Sequence, residues 1–294
     1  MIIDKNDYKA VLPLIKCSNE LSVFAVIEGI VPGEVFANRA ANPTAVFIKT
    51  SECNYVAGDA SDSSFYGEIS EHLDFWDTLT CDSDEWEKVI NSIHPNPFVR
   101  SYVRRHYSLS RSNFKELCVK LPDGYVLEKV IPESIRGCQY ENADEIIEWM
   151  GNFDDESFIK YGNGVYLRKD NIIVSWSLSD CATKDSVAIG IQTDERFRLC
   201  VFGKIVAGEN VRQCFEKGYT SVDWLCTDFN KGSIKIAEDL RFTLQNKYMS
   251  YTPYAPVENI TDLDEKQWKE WAEYYEQAAK KDQRYAEICL RLSE

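Results

Sequence analysis

The sequence predicts an α+β protein built around a mixed sheet that is flanked by helices. The second half carries a predicted hairpin, strand, helix, strand and helix in that order, which requires at least one crossover connection between parallel strands. The chain has 294 residues, of which 44% are hydrophobic and 13% aromatic, enough for two domains with sizeable cores. We expect an α/β domain over residues 1–122, a second domain with the mixed sheet over 123–255, and a helical tail over 256–294.

The first half changes from a strand-like pattern to a helical one. Apolar runs on either side of a Pro-Gly turn predict strands over residues 22–27, 34–36 and 45–48. Apolar residues at helical spacing predict helices over residues 65–93, and a proline-containing segment ends that stretch. A basic island over residues 98–107 follows, and we assign it no secondary structure.

The second half has clearer signals for each element. Gly218 is the expected end of the longest helix before the tail, because glycine tolerates the left-handed conformation that follows a helix. A turn around residues 169–171 joins the two strands of the hairpin. In chain order we predict a strand at 125–127, a helix at 143–150, strands at 164–168, 172–178 and 186–192, a helix at 204–217, a strand at 221–226, a helix at 232–240 and a helix from 262 towards 292.

The charge of the chain narrows the classes of partner. Lys and Arg number 33 and Asp and Glu number 48, so the formal net charge is −15. Binding along a nucleic-acid backbone or on an anionic membrane needs an excess of basic residues, and we expect neither. The sequence has no apolar run of roughly 20 residues and no basic-then-apolar start, so we expect a cytoplasmic protein.

Cysteine and histidine usage points neither to a metal site nor to a nucleophile system. The ten cysteines are spread without a CxxC pair, and we interpret them as reduced thiols. His72, His94 and His106 have no spacing to a serine or cysteine, so we interpret them as ordinary surface or core residues. The motifs GxSxG, HExxH and GxxxxGK[ST] are absent, and the many carboxylates single out no pair. The catalytic residues therefore stay unassigned.

The segment between the strand at 186–192 and the helix at 204–217 is the strongest candidate site. It contains Arg196, Arg198 and Lys204, and the helix begins near Gly203. The start of a helix offers free N–H groups and a positive dipole end, which suit a phosphate or pyrophosphate. We expect the three cations to add local positive charge, although a plain strand–turn–helix connection explains the segment equally well.

Several stretches of this sequence match a family pattern. Residues 191–203 read I-Q-T-D-E-R-F-R-L-C-V-F-G, and Trp224-Leu225-Cys226, Asn230 and Ser233 follow. Together with small-residue turns in the first half, such as Pro32-Gly33, they resemble the GNAT acetyltransferase superfamily. They are similar in particular to its two-domain bacterial family, described simply as GNAT acetyltransferase. The resemblance covers residues 20–255 or so.

The resemblance implies an acyl-CoA-dependent N-acyltransferase whose co-substrate is acetyl-CoA. The acceptor would be an amine of a small molecule or a peptide, and it would attack the thioester directly. A strand N–H, that of Ile191 or Gln192, would hold the oxyanion. The residues implied in cofactor binding are Ile191, Gln192, Thr193, Arg198, Leu199, Cys200, Val201, Phe202, Gly203, Lys204, Asn230 and Ser233.

This chain departs from the family pattern at several positions. Leu199 and Val201 replace two loop glycines, and a branched residue restricts the close approach of backbone to phosphate. We expect the loop to bind a pyrophosphate only if both side chains turn into the core. Ala188 and Gln192 occupy positions where the family often has a carboxylate on the strand. Ala237 occupies the position where the family often has a tyrosine that acts as the general acid. A catalytically degenerate GNAT-like scaffold that binds a partner or another small ligand is therefore the alternative hypothesis.

Overall fold

One sheet of eleven strands runs through the part of the chain that the structure describes. In the computed structural model this part is residues 1–96, 99–117, 121–253 and 264–266 with positions 269, 272, 273 and 276. The strands are β1 (Glu34–Ala37), β2 (Ala45–Lys49), β3 (Asn54–Gly58), β4 (Leu79–Cys81), β5 (Arg100–Ser110), β6 (Tyr125–Lys129), β7 (Gly164–Lys169), β8 (Ile172–Ala182), β9 (Ser186–Thr193), β10 (Ser221–Thr227) and β11 (Thr243–Thr252). They pair in the order β1-β2-β3-β4-β11-β5-β10-β9-β8-β7-β6.

Helices flank the sheet, and all but one of those in the described ranges are short. They are α1 (Leu12–Ile15), α2 (Leu21–Ile27), α3 (Tyr66–His72), α4 (Asp84–Glu87), α5 (Ile90–Ile93), α6 (Pro132–Gly137), α7 (Ala143–Met150), α8 (Asp155–Lys160), α9 (Phe202–Lys217) and α10 (Lys231–Asp239). Among the described residues, no helix combines the length and the apolar character needed to cross a membrane.

The α+β architecture predicted from the sequence, a mixed sheet flanked by helices, is confirmed. Each element predicted between residues 125 and 240 has its counterpart, whereas α6, α8 and β11 were not predicted. β9 and β10 are parallel and are joined through α9, which is the expected crossover. Gly218 ends α9 in the left-handed region, with a φ of 113°. The helix predicted from 262 towards 292 lies outside the described residues, apart from six helical positions between 265 and 276.

Two predictions for the first half are wrong, and one segment without a predicted structure belongs to a strand. Residues 22–27 belong to helix α2 instead of a strand, because this run is apolar at almost every position and carries no clear period. The stretch 65–93, predicted to be helical throughout, contains strand β4 between α3 and α4. The basic island, which was assigned no structure, is the start of β5, an eleven-residue strand.

Strand β5 lies between β10 and β11, at the centre of the sheet. It pairs antiparallel with β10 from Ser221–Ser110 to Thr227–Arg104, and antiparallel with β11 along its other edge. A strand from the first half therefore completes the sheet of the second half. The domain boundary predicted between residues 122 and 123 stays a prediction, and it falls between two strands of this one sheet.

The two faces of the sheet at β9 carry different helices. Because side chains alternate along a strand, Ile191 and Thr193 share one face with the start of α9. A Cβ added to Gly203 would lie 3.3 Å from Oγ1 of Thr193, and we call this side the α9 face. Gly190 points to the opposite side, where α7 places the ring of Trp149 against it. Helix α2 packs across β8 and β9, and we call this side the α2 face.

Three clusters of buried apolar residues in the described part of the chain hold these layers together. The largest one packs α2, α7 and α9 against the second half of the sheet and includes Trp176 and Trp224. The second one packs α3 and α5 against β2, β3 and β4 and includes Phe47, Ile69 and Trp86. The largest core fixes the position of β9 and β10. A third, small cluster packs Phe202, Ile205 and Val206 at the start of α9 against Leu167 of β7 and Val174 of β8.

Candidate functional site

Strands β9 and β10 separate partway along their length. Their parallel pairing ends at Asp223 and Ala188, although β9 continues to Thr193 and β10 to Thr227. Both strands run in the same direction, so the opening widens towards their carboxyl ends, where ligands bind in sheets of this kind. We call this opening, between residues 189–193 and 224–227, the strand gap.

The loop from β9 to α9 lies at the open end of the strand gap. The backbone N–H groups of Leu199, Cys200, Val201, Gly203 and Lys204 donate to no acceptor within the described residues. The first turn of a helix leaves such groups unpaired, and the positive end of the α9 dipole lies at the same place. The loop therefore offers five free donors at the place where a bound anion would be stabilised.

The side chains of this loop differ from expectation. Leu199 is fully exposed and Val201 is 63% exposed, so neither side chain turns into the core, and the condition that the sequence set for a pyrophosphate-binding loop is not met. Leu199 also adopts a φ of 59°, in the left-handed region that strains a residue with a Cβ. This conformation explains why glycine is the family residue at this position.

The three cations of the loop all have carboxylate partners. The contacts are Arg196 with Asp194 and Glu141, both at 2.6 Å, Arg198 with Glu195 at 3.6 Å, and Lys204 with Asp239 at 3.2 Å. Arg196 holds the pKa of the Asp194 carboxyl well below its usual range through a side-chain hydrogen bond. Three cations therefore face four carboxylates, and the expected excess of positive charge is absent from this set.

Arg198 nevertheless keeps access to solvent. Its side chain is 27% exposed, and its partner Glu195 is 65% exposed. Its Nε also donates to the carbonyl oxygen of Thr193 at 3.4 Å, which ties the side chain to the end of β9. An exposed ion pair of this kind contributes little to stability and exchanges partners readily.

The predicted residues on β9 lie along the strand gap. Ile191, Gln192 and Thr193 belong to the part of β9 that has separated from β10. The hydroxyl of Thr193 is 2.8 Å from the hydroxyl of Ser175 on β8, which holds the end of the strand. Phe202 at the start of α9 is buried against the ring of Tyr125.

Asn230 and Ser233 have structural partners at the start of α10. Oδ1 of Asn230 accepts a hydrogen bond from the N–H of Ser233 at 2.9 Å, as an N-cap residue does. The buried hydroxyl of Ser233 accepts a hydrogen bond from Nε1 of Trp224 at 2.8 Å. These two bonds tie α10 to β10 beside the strand gap, and they account for this part of the family motif without a ligand.

A histidine–aspartate pair lies at the closed end of the strand gap. Nε2 of His106 on β5 is 3.3 Å from Oδ2 of Asp223 on β10, and the side chains are 19% and 11% exposed. Asp223 is the last residue of β10 that pairs with β9. The pair is not evident from the sequence, because the two residues are far apart in the chain and meet only through the pairing of β5 with β10.

Trp149 covers the neighbouring part of β9 on the α2 face. Its Nε1 donates a hydrogen bond of 2.6 Å to Asp180 on β8. A Cβ added to Gly190 would lie 2.4 Å from the indole ring, so only glycine lets the ring approach the strand so closely. Trp149 and Gly190 thus shape one wall beside the closed end of the gap.

A buried charged cluster lies further along the α2 face. Arg104 of β5 contacts Glu52 and, at 3.4 Å, Glu20, and the hydroxyl of Tyr248 donates to Glu20 at 2.7 Å. Burial raises the pKa of Glu52 to about 7, and the nearby carboxylate of Glu20 also raises it, while Arg104 lowers it. Two carboxylates thus share one permanent cation in a poorly solvated place.

Comparisons with known proteins show the family to which this chain belongs. A family model described as GNAT acetyltransferase matches residues 13–251. An uncharacterised N-acetyltransferase of Bacillus subtilis, YdfB, is 26% identical over 238 residues, which cover 78% of this chain and 88% of the relative.

Solved structures show the same fold. A GCN5-related N-acetyltransferase-like protein of Streptococcus suis superposes with a TM-score of 0.69 at 20% identity, covering 84% of this chain and 98% of that one. A GCN5-related N-acetyltransferase of Kribbella flavida gives a TM-score of 0.51 at 14% identity, covering 79% and 95%. Because the family model spans most of the sequence, the chain belongs to the GNAT acetyltransferase family.

Proposed function

We propose that this protein is an acyl-CoA-dependent N-acyltransferase that transfers an acetyl group from acetyl-CoA to a primary amine. One observation carries the proposal: the strand gap opens onto a loop at the start of α9, where five backbone N–H groups have no acceptor among the described residues. A pyrophosphate needs such a cluster of donors, and a pantetheine arm needs an opening between strands to reach past them.

In this proposal each part of the site has a separate task. The N–H groups of residues 199–201, 203 and 204 and the side chain of Arg198 bind the pyrophosphate. The N–H of Ile191 or Gln192 donates to the thioester oxygen as it gains negative charge. Holding the amine and the thioester in contact supplies much of the rate, since it replaces an encounter of two free molecules.

The exposed side chain of Val201 limits how closely a phosphate approaches the loop. A β-branched side chain next to free N–H groups occupies space that glycine leaves open. We therefore expect Val201→Gly to bind acetyl-CoA about three- to tenfold more tightly than the wild type, a gain of about 1 kcal/mol. Val126→Gly, which removes a 40% exposed valine from β6 outside the loop, is the matched control and should leave the affinity unchanged.

Thermal unfolding with and without acetyl-CoA tests the proposal. At about 100 times its Kd, acetyl-CoA should stabilise the wild type by about 2.7 kcal/mol and raise its Tm. Arg198→Ala should weaken binding about tenfold or more, because it removes a charge-assisted hydrogen bond. Arg111→Ala, at the far end of β10 from the loop, is its control. The absence of any shift in the wild type and in Val201→Gly would overturn the proposal.

The alternative function is that of a scaffold that has lost CoA chemistry. Two observations favour it: all three cations of the loop have carboxylate partners, and the side chains of Leu199 and Val201 are exposed instead of turned into the core. A scaffold would bind neither acetyl-CoA nor CoA, and the Val201→Gly substitution would not create binding. The same titration therefore separates the two functions.

A further inference from the structure

We propose that His106 is the general base of the reaction and that Asp223 positions it; this inference rests on the proposed acetyl transfer. The placement comes from the register of three strands. Asp223 pairs with Ala188 on β9, and Leu225 pairs with His106 on β5. Side chains opposite each other share a face, so Asp223, Leu225 and His106 all lie on the α2 face at the closed end of the strand gap.

The strands that form the gap offer few groups that could accept a proton on this face. From β9 the α2 face receives Ala188, Gly190 and Gln192, none of which titrates near neutral pH. From β10 it receives Asp223 together with Leu225 and Thr227. Asp223 is thus the single carboxylate in this set of six residues, and its ion-pair contact is with His106.

The contact between His106 and Asp223 determines which imidazole nitrogen can accept a proton. Nε2 of His106 is buried and faces Oδ2 of Asp223 at 3.3 Å, without the alignment of a full hydrogen bond. Nδ1 has no hydrogen-bond partner in the described residues and is not buried. A carboxylate beside Nε2 favours the tautomer with a proton on Nε2, which leaves the lone pair on Nδ1 to accept a proton.

In this reaction, His106 both accepts the proton of the amine and later releases it. The amine nitrogen bonds to the thioester carbon, and the carbonyl electron pair moves to oxygen. Nδ1 of His106 takes one proton from that nitrogen, and Asp223 stabilises the imidazolium. When the carbon–sulfur bond breaks, the proton passes to the leaving sulfur, so an amide, a CoA thiol and neutral His106 result.

Histidine NMR tests the placement without knowledge of the acceptor. The chain has three histidines, so protein with 13C-labelled histidine gives three ring signals, and His106→Gln assigns one of them. Saturating acetyl-CoA should shift the His106 signal. The ring signals of His94 and His72 should not shift. His94 is hydrogen-bonded to the carbonyl oxygen of Asp77, and His72 stacks on Phe36. Calorimetry run in parallel separates two failures. If acetyl-CoA does not bind, the proposed function fails; if it binds and the His106 signal stays fixed, the role of His106 is overturned.

Kinetics test the role itself. The assay measures the CoA thiol that is released from acetyl-CoA. The acceptor is one of three amines: butylamine, spermidine or a lysine peptide. His106→Gln should lower kcat about 100- to 10,000-fold and leave the KM for acetyl-CoA within about twofold, as loss of a general base does. Added imidazole should restore part of the activity of His106→Gly, which a structural role would not allow. Asp223→Asn should cost less than His106→Gln. A larger loss in Asp223→Asn, or an unchanged kcat in His106→Gln, would overturn the assignment.

Discussion

Replacing Glu52 with glutamine should make the stability of this protein less dependent on pH. Glu52 lies with Glu20 beside Arg104, and Tyr248 closes the cluster on the β11 side. Two buried carboxylates and one guanidinium carry one excess negative charge, which a single bound proton removes. Burial raises the pKa of Glu52 to about 7 for this reason, compared with 4.5 for an ordinary glutamate.

The sign and size of the effect follow from linkage. Below the pKa of the unfolded state, both states of the protein hold the proton, and its stabilising effect is fully present. As the pH rises towards 7, the unfolded state has lost the proton while the folded state still binds it, so unfolding becomes more favourable. A difference of roughly 2.5 pKa units corresponds to about 3 kcal/mol, an upper bound on the stability lost by the time the pH has passed through the folded-state pKa.

Urea unfolding at several pH values between about 5 and 8 measures this effect. The free energy of unfolding of Glu52→Gln, minus that of the wild type, should rise with pH by up to about 3 kcal/mol. Asp155→Asn is the control, because Arg136 lowers the pKa of that exposed carboxyl, and its difference from the wild type should stay flat in this range. Parallel profiles for Glu52→Gln and the wild type would show that the cluster does not hold the proton.

Three further predictions concern the loop and the core. Leu199→Gly should raise the free energy of unfolding by about 1 kcal/mol, because an exposed leucine with positive φ is strained; Val201→Gly, at ordinary φ, should bring no such gain in the same urea titration. Asn210→Ala should lower the free energy of unfolding by about 1–3 kcal/mol, because three hydrogen bonds between buried side chains are lost, one of them from the Cys214 thiol; a smaller loss would mean that water replaces the amide. Acetyl-CoA should slow the alkylation of exposed Cys200 by iodoacetamide and leave exposed Cys17 unaffected; equal rates with and without ligand, followed by mass spectrometry, would place the ligand elsewhere.

The second half of the fold was predictable because its local signals agree with its tertiary structure. Alternating apolar residues marked β7, β8 and β9, and glycine marked the end of α9. β5 was missed for the opposite reason. It is a central strand with charged residues, and its Arg104 and Arg105 are neutralised by Glu52 and Asp228. No local pattern reveals partners that are so far apart in the sequence.

In the candidate site, too, some residues could be predicted from the sequence and others could not. The residues at 191–193 and 198–204 were predictable through the family motif, and the structure brings them together along and beside the strand gap. The conformation of Leu199 and the exposure of Val201 were not, since loop geometry depends on the packing of the helix that follows. His106 and Asp223 were beyond sequence reasoning, because a sheet neighbour chosen from a distant segment brings them together.

The central position of β5 has a consequence for the order in which the chain becomes structured. During synthesis β5 leaves the ribosome long before β10 and β11, so both of its edges stay open until the later strands arrive. Their pairing closes long loops, which slows folding and joins both halves into one cooperative unit. Cutting the chain between residues 122 and 123 would therefore expose strand edges on both pieces, and the two fragments should recombine into a native-like complex when they are mixed.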